Sequence, residues 1–152
     1  MVLGIACALE SHAEAAAVPC GVYAAPFAVN LFGDESTFVE PDVCVICDPS
    51  KQSDRGCEGA PDFIAEVVSP SSRRMDYITK MARYEQAGVR EYWVVDPGNG
   101  SDAGCVTVYR FESGDPAPKV YSFDEAVPVG IMGGLSIEVG KIVERARARM
   151  SR

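Results

Sequence analysis

The chain is short of histidine and of positive charge. A single histidine, His12, stands among 152 residues. With no cysteine or histidine partner close by in sequence, it reads as a surface residue rather than a metal ligand. Lys and Arg total 14 against 22 Asp and Glu, a net charge of −8. That balance repels polyanions over most of the surface, so any contact with nucleic acid has to be local. The chain also lacks any apolar run of the roughly 18 residues that a membrane-spanning helix needs. The apolar first ten residues carry no basic n-region and do not read as a signal peptide. Internal repeats and a linker that would divide the chain are absent too. With 47% hydrophobic residues, the expectation is one globular domain over residues 1–152, located in the cytoplasm.

What positive charge there is gathers late. Residues 141–152 hold Lys141, Arg145, Arg147, Arg149 and Arg152 against Glu144, a local +4 that leaves −12 elsewhere. The six cysteines are Cys7, Cys20, Cys44, Cys47, Cys57 and Cys105. Their even count fits disulfides, but without a secretory signal, and with enough apolar residues for a core, reduced thiols are expected. Cys44-Val45-Ile46-Cys47 has C-x-x-C spacing. In a strand, residues three apart face opposite sides, so the pair is not expected to chelate zinc.

Periodicity predicts a helix over residues 3–17, a strand over 21–31 and a turn at Gly33–Ser36. A second strand follows at 43–47, then a polar loop over 48–59, whose Lys51 and Arg55 read as solvated. A buried strand, Phe63 to Val68, lies between prolines. A helix is expected from Met75 to Ala87, capped by Ser69, Ser71 or Ser72 and stopped by Gly88. Glu91 to Pro97 reads as a strand with Trp93 in the core, ended by Pro97-Gly98-Asn99-Gly100. Residues 105–111 and 119–123 are expected to pair antiparallel across Glu112 to Pro118, and a basic helix closes the chain over 137–150. This order predicts an α/β or α+β domain with a mixed sheet.

Within Phe63 to Val68 one carboxylate, Glu66, is set among apolar residues. Burying an ionised group costs several kcal/mol unless it is compensated, so Glu66 needs a cation, a metal or hydrogen bonds. Asp42, at the mouth of the 43–47 strand, can converge on it if the two strands pair, as a divalent cation with oxygen ligands requires. Asp76, Lys80 and Tyr84 follow at four-residue steps on one helix face, bringing Lys80 close to Glu66. Plainer readings exist for each of these. Glu66 pairs with Lys80 or Arg83, Asp42 caps a loop, Tyr84 packs beneath the sheet, and Asp62, after Pro61, belongs to a turn.

Asp42, Glu66 and a lysine together resemble the PD-(D/E)XK nuclease superfamily, with one departure. The position two residues after the glutamate, where that motif has its lysine, is Val68. The string Pro61-Asp62-Phe63…Glu66-Val67-Val68-Ser69-Pro70-Ser71…Asp76…Lys80…Tyr84…Gly88-Val89…Glu91-Tyr92-Trp93-Val94-Val95-Asp96-Pro97 is similar to the Uma-type restriction-endonuclease family, in which the lysine has migrated to the helix. The resemblance is specific from about Glu40 to Pro97. It implies a restriction-endonuclease-like mixed β-sheet flanked by helices, and a hydrolase acting on DNA phosphodiester bonds with Mg²⁺ or Mn²⁺. Asp42, Glu66 and the Val67 carbonyl are the implied ligands, and Lys80 is the implied catalytic cation. It further implies a homodimer, with phosphate contacts from the basic C-terminal helix or from a dimer face. Family members usually begin with a further helix and strand that this chain is expected to lack. The alternative is therefore a nuclease-fold module that binds without cutting.

Overall fold

The computed structural model describes residues 1–99, 101–115 and 117–151. Gly100 of the strand-ending turn, Pro116 of the hairpin loop and Arg152 of the basic segment lie outside the described residues. In chain order the first half holds helix α1 (Val2–Ala15) and strands β1 (Gly21–Ala24), β2 (Val29–Asn30), β3 (Phe38–Val39), β4 (Val43–Ile46), β5 (Gln52–Ser53), β6 (Gly56–Glu58) and β7 (Phe63–Val67). A π-helical turn, Met75–Lys80, then runs directly into helix α2 (Met81–Ala87). Strands β8 (Glu91–Asp96), β9 (Cys105–Arg110), β10 (Lys119–Ser122), β11 (Val127–Pro128) and β12 (Ser136–Ile137) precede helix α3 (Val139–Met150). Among the described residues no helix is long and apolar enough to cross a membrane.

The main sheet has six strands in the order β1-β4-β7-β8-β9-β10. Its central pair, β7 and β8, is parallel, and every other neighbouring pair is antiparallel. It is the expected mixed sheet. A parallel pair needs a long crossover, and the π turn with α2 supplies it. Strand alternation then sends side chains to two separate cores. Phe63, Ala65, Trp93 and Val95 pack with Ile5 and Leu9 of α1 and Val139 and Val143 of α3. Ile64, Val68, Tyr92 and Val94 pack on the other face, with Tyr84 of α2 and with Val29 and Cys57. Between α1 and α3 the approach is close. A Cβ at Gly4 would lie 2.5 Å from Ile142 Cγ2.

Several expectations are corrected. The strand read over 21–31 is two short strands in different sheets, because Pro26 has no N–H to continue a ladder. The polar stretch 48–59 is more than a loop. Its residues form the β5–β6 hairpin of a second sheet, ordered β3-β2-β6-β5. Lys51 on it donates to the Ala60 carbonyl at 2.8 Å, and Arg55 pairs with Glu35 at 3.0 Å in the open. Reduced thiols are found at Cys7, Cys44, Cys57 and Cys105, whereas Cys20 and Cys47 form a disulfide. The register Gly21↔Ile46 makes these two cross-strand neighbours, a proximity that spacing along the chain does not reveal. Cys44 packs in the α2-side core while Cys47 contacts the α1-side core, so the two sulfurs do lie on opposite faces. His12 is half-buried, and its Nε2 has no hydrogen-bond partner among the described residues.

Gly88 ends α2 as expected. Its φ of +94° is left-handed, and its N–H and that of Val89 return to carbonyls of the last turn. An L-residue is strained there, so Gly88→Ala is expected to cost about 1 kcal/mol, read as a lower urea midpoint at unchanged m-value.

Candidate active site

The site forms where β4 begins and β7 ends. Val43 is the register partner of Ala65, so one step further Asp42 stands opposite Glu66. Asp42 Oδ2 accepts the Val67 N–H at 2.7 Å, fixing the first carboxylate to the strand that carries the second. Glu66 shares its strand face with Ile64 and Val68 and is only 4% exposed. From the helix above, Tyr84 donates its hydroxyl to Glu66 Oε1 at 2.7 Å, and Lys80 Nζ lies 3.1 Å from the same oxygen. Tyr84 packs in the core beneath the sheet as expected, and it also binds the carboxylate. The cation partner of Glu66 is Lys80, while Arg83 is exposed.

Asp76 completes the group, and its burial was not legible in the sequence. It is 1% exposed, and its Oδ1 lies 2.9 Å from Lys80 Nζ. Ser72 Oγ donates to its Oδ2 at 2.6 Å, and Tyr92 OH donates to its backbone carbonyl at 3.0 Å. Ser72 is tied in turn to Ser69, each backbone N–H meeting the other's hydroxyl. The cap expected among the serines is thus a reciprocal Ser69–Ser72 pair, and its hydroxyl reaches Asp76. The four-residue spacing of Asp76 and Lys80 was the available signal. Which of the two would be the more deeply buried was not.

Burial pushes the Glu66 carboxyl above its ordinary value, and the Asp42 charge adds to this, while Lys80 and the Tyr84 hydroxyl pull it down without cancelling the rise. For Lys80, burial disfavours the ammonium, but the hydrogen bonds and charges of Asp76 and Glu66 outweigh it and raise the pKa. Lys80 is therefore a firmly held cation. Asp42, Glu66 and Asp76 against Lys80 leave two negative charges uncompensated in the cluster. Since Lys80 and Tyr84 both use Oε1, Glu66 Oε2 has no protein partner among the described residues, and neither has Asp42 Oδ1. Two open carboxylate oxygens on adjoining strands, with excess negative charge, are a donor set that fits a hard divalent cation. Among the described residues no group of three or more His, Cys, Asp or Glu side chains converges. A third ligand would thus come from backbone, and the Val67 carbonyl is next to both acids in sequence and register.

The other acids of this region and of α1 serve elsewhere. Asp62 lies near the other end of β7, accepting the Cys47 N–H at 2.7 Å and facing Arg90 at 3.3 Å. Asp96 pairs with Arg73 at 2.6 Å, close to the end of β8. Glu40, Glu10 and Glu14 are exposed, the latter two on α1 across the sheet from Glu66. Helix α3 covers that same far face, and its Lys141, Arg145 and Arg149 line a groove that reaches Val67 but lies across the sheet from Glu66.

A mixed sheet flanked by helices, with an acid pair at the strand ends and a lysine on the crossover helix, is a nuclease-type α+β fold. It matches the crystal structure of a putative nuclease belonging to DUF820 from Anabaena variabilis ATCC 29413 with a TM-score of 0.70. Sequence identity is 19%, over 93% of this chain and 79% of that one. The chain belongs to the Uma2 family, described as "Putative restriction endonuclease", whose model matches residues 2–140. No curated protein matches it.

Proposed function

We propose that this protein is a divalent-cation-dependent endonuclease that hydrolyses DNA phosphodiester bonds. The observation that carries the reading is the pair of open oxygens, Glu66 Oε2 and Asp42 Oδ1, beside an ammonium clamped between Glu66 and Asp76. Asp42, Glu66 and the Val67 carbonyl would hold Mg²⁺ or Mn²⁺. When bound, such an ion neutralises phosphate charge and makes hydroxide accessible at neutral pH. Lys80 stabilises charge developing on the phosphate or orients the attacking water. Tyr84 holds Oε1 so that Oε2 stays available, and Asp76 fixes the ammonium. A cytoplasmic location would suit this substrate, and a two-fold dimer would let paired sites cut both strands.

Purified protein should therefore convert supercoiled plasmid to nicked or linear forms with Mn²⁺ or Mg²⁺, and chelator should stop it. Glu66→Ala should abolish the reaction. Equal background nicking by wild type and variant would sink the catalytic reading. The second reading, a fold that binds without cutting, has one observation in its favour: Lys80 already neutralises Glu66 from within. Cation binding by calorimetry separates the two, because a site with Lys80 in permanent place of an ion takes up neither metal.

A further inference from the structure

We propose that the outward ridge of the π turn, Arg74, Met75 and Ile78, is the surface on which the DNA lies, with Arg74 on a backbone phosphate and the two apolar side chains against sugar and base edges. The inference rests on the nuclease reading of the adjoining site. Asp76 and Lys80 face inward from this turn, while Met75 and Ile78 stand 49% and 57% exposed on its outside. An exposed apolar side chain is unremarkable alone. Here two occur within four residues, on the segment that also supplies the lysine of the site. Basic residues flank them. Arg73 is taken by Asp96, whereas Arg74 is exposed and has no ion-pair partner among the described residues. Next to it the exposed Ser71 hydroxyl, which among the described residues meets only Ser69 Oγ at 3.1 Å, is placed to turn to a phosphate oxygen. Cationic and hydroxyl donors beside projecting Met and Ile side chains fit proteins that neutralise the backbone while wedging apolar groups against base steps.

The rival surface is α3, the one concentrated basic segment. Its Lys141, Arg145 and Arg149 line a groove against α1 that reaches Val67 at the end of β7, on the face of the sheet opposite Glu66. The ridge, by contrast, is on the same turn as Lys80 and on the Glu66 side of the sheet.

The test is fluorescence anisotropy with a short labelled DNA duplex in Ca²⁺, over a salt series, on the full chain. Arg74→Glu should weaken binding and lower the salt slope by about one. Met75→Ser combined with Ile78→Ser should weaken binding about tenfold with the slope unchanged, and should remove the fluorescence rise of a 2-aminopurine placed at the contacted step. Arg145→Glu with Arg149→Glu should change little. All these side chains are exposed or at the groove rim, and circular dichroism confirms that the variants fold. Unchanged affinity in the ridge variants, or a loss confined to the α3 variant, overturns the proposal. So does a wild type that binds no duplex. In each case metal-dependent plasmid cleavage reports separately on whether the nuclease reading survives.

Discussion

Replacing Lys80 by methionine should reduce metal-dependent plasmid cleavage by about 10²–10³-fold, the usual loss on removing one group that stabilises transition-state charge. The same change should destabilise the fold. Glu66 and Asp76, 4% and 1% exposed, would lose the ammonium that lies 3.1 and 2.9 Å from them. Breaking a buried pair typically costs about 3–5 kcal/mol. Because the Lys80 side chain is 30% exposed, water takes part of the load and about 2–3 kcal/mol is expected. The sign of the pH dependence distinguishes this from a packing defect. Burial already raises the folded-state pKa of Glu66, and losing the cation raises it further. An acid with a folded pKa above its unfolded value takes up protons more readily in the folded state, so its destabilising effect is full at neutral pH and shrinks on acidification through that pKa. Urea midpoints of Lys80→Met should accordingly approach wild type between neutral pH and about pH 5. Mg²⁺ should narrow the gap at pH 7 by supplying the missing charge. Undiminished cleavage in this variant would remove Lys80 from the mechanism.

Trp93→Ala should be the most damaging substitution in the core, at about 3–5 kcal/mol, a large part of the 5–15 kcal/mol a domain usually has. Trp93 is fully buried, meets Phe63 edge-on at 5.3 Å, and donates Nε1–H to Glu91 Oε1 at 2.7 Å. Glu91 is itself 1% exposed and takes the Ile131 N–H on its other oxygen at 3.1 Å. The indole is therefore both core volume and one of the donors that make a buried carboxylate tolerable. Trp93→Phe separates the two roles. It keeps an aromatic ring but orphans Oε1, at an expected cost of about 1–3 kcal/mol. Chemical denaturation of both variants measures the difference. If Phe is as harmful as Ala, the hydrogen bond outweighs the packing.

The parts of the fold that could be read were the longer runs. Strands β7 and β8 are near-continuous apolar stretches of five and six residues, and the helix ending at Gly88 buries Tyr84 and half-buries Tyr77 and Met81, although Ile78 and Ala82 of its apolar stripe are exposed. Strands β2, β3, β5 and β6 run for two or three residues, too short for a period to show. The Cys20–Cys47 bond and the burial of Asp76 depend on which elements meet, information that no local window contains. So does the place of α3. Its charge was plain in the sequence, but the face of the sheet it would cover was not. At the site, Glu66 stood out as a charged residue in an apolar strand, and Asp42 and Lys80 followed from what could partner it and from the family resemblance. Asp76 was passed over because an Asp four residues before a Lys is also an ordinary surface pair.

Strand β4 is short, only Val43–Ile46, yet it is fastened at both ends. The Asp42 carboxylate grips the Val67 amide at one end. At the other, Cys47 is bonded to Cys20 and its N–H is held by Asp62. Four residues of ladder alone would tolerate slippage, and a slip by a single residue turns every side chain over. Asp42 would then point toward α1 and α3 while Glu66 stayed beneath the helix, leaving the two acids on opposite sides of a wall of backbone. The fastenings act as a vernier lock, and what they hold in phase is the meeting of one oxygen from each strand.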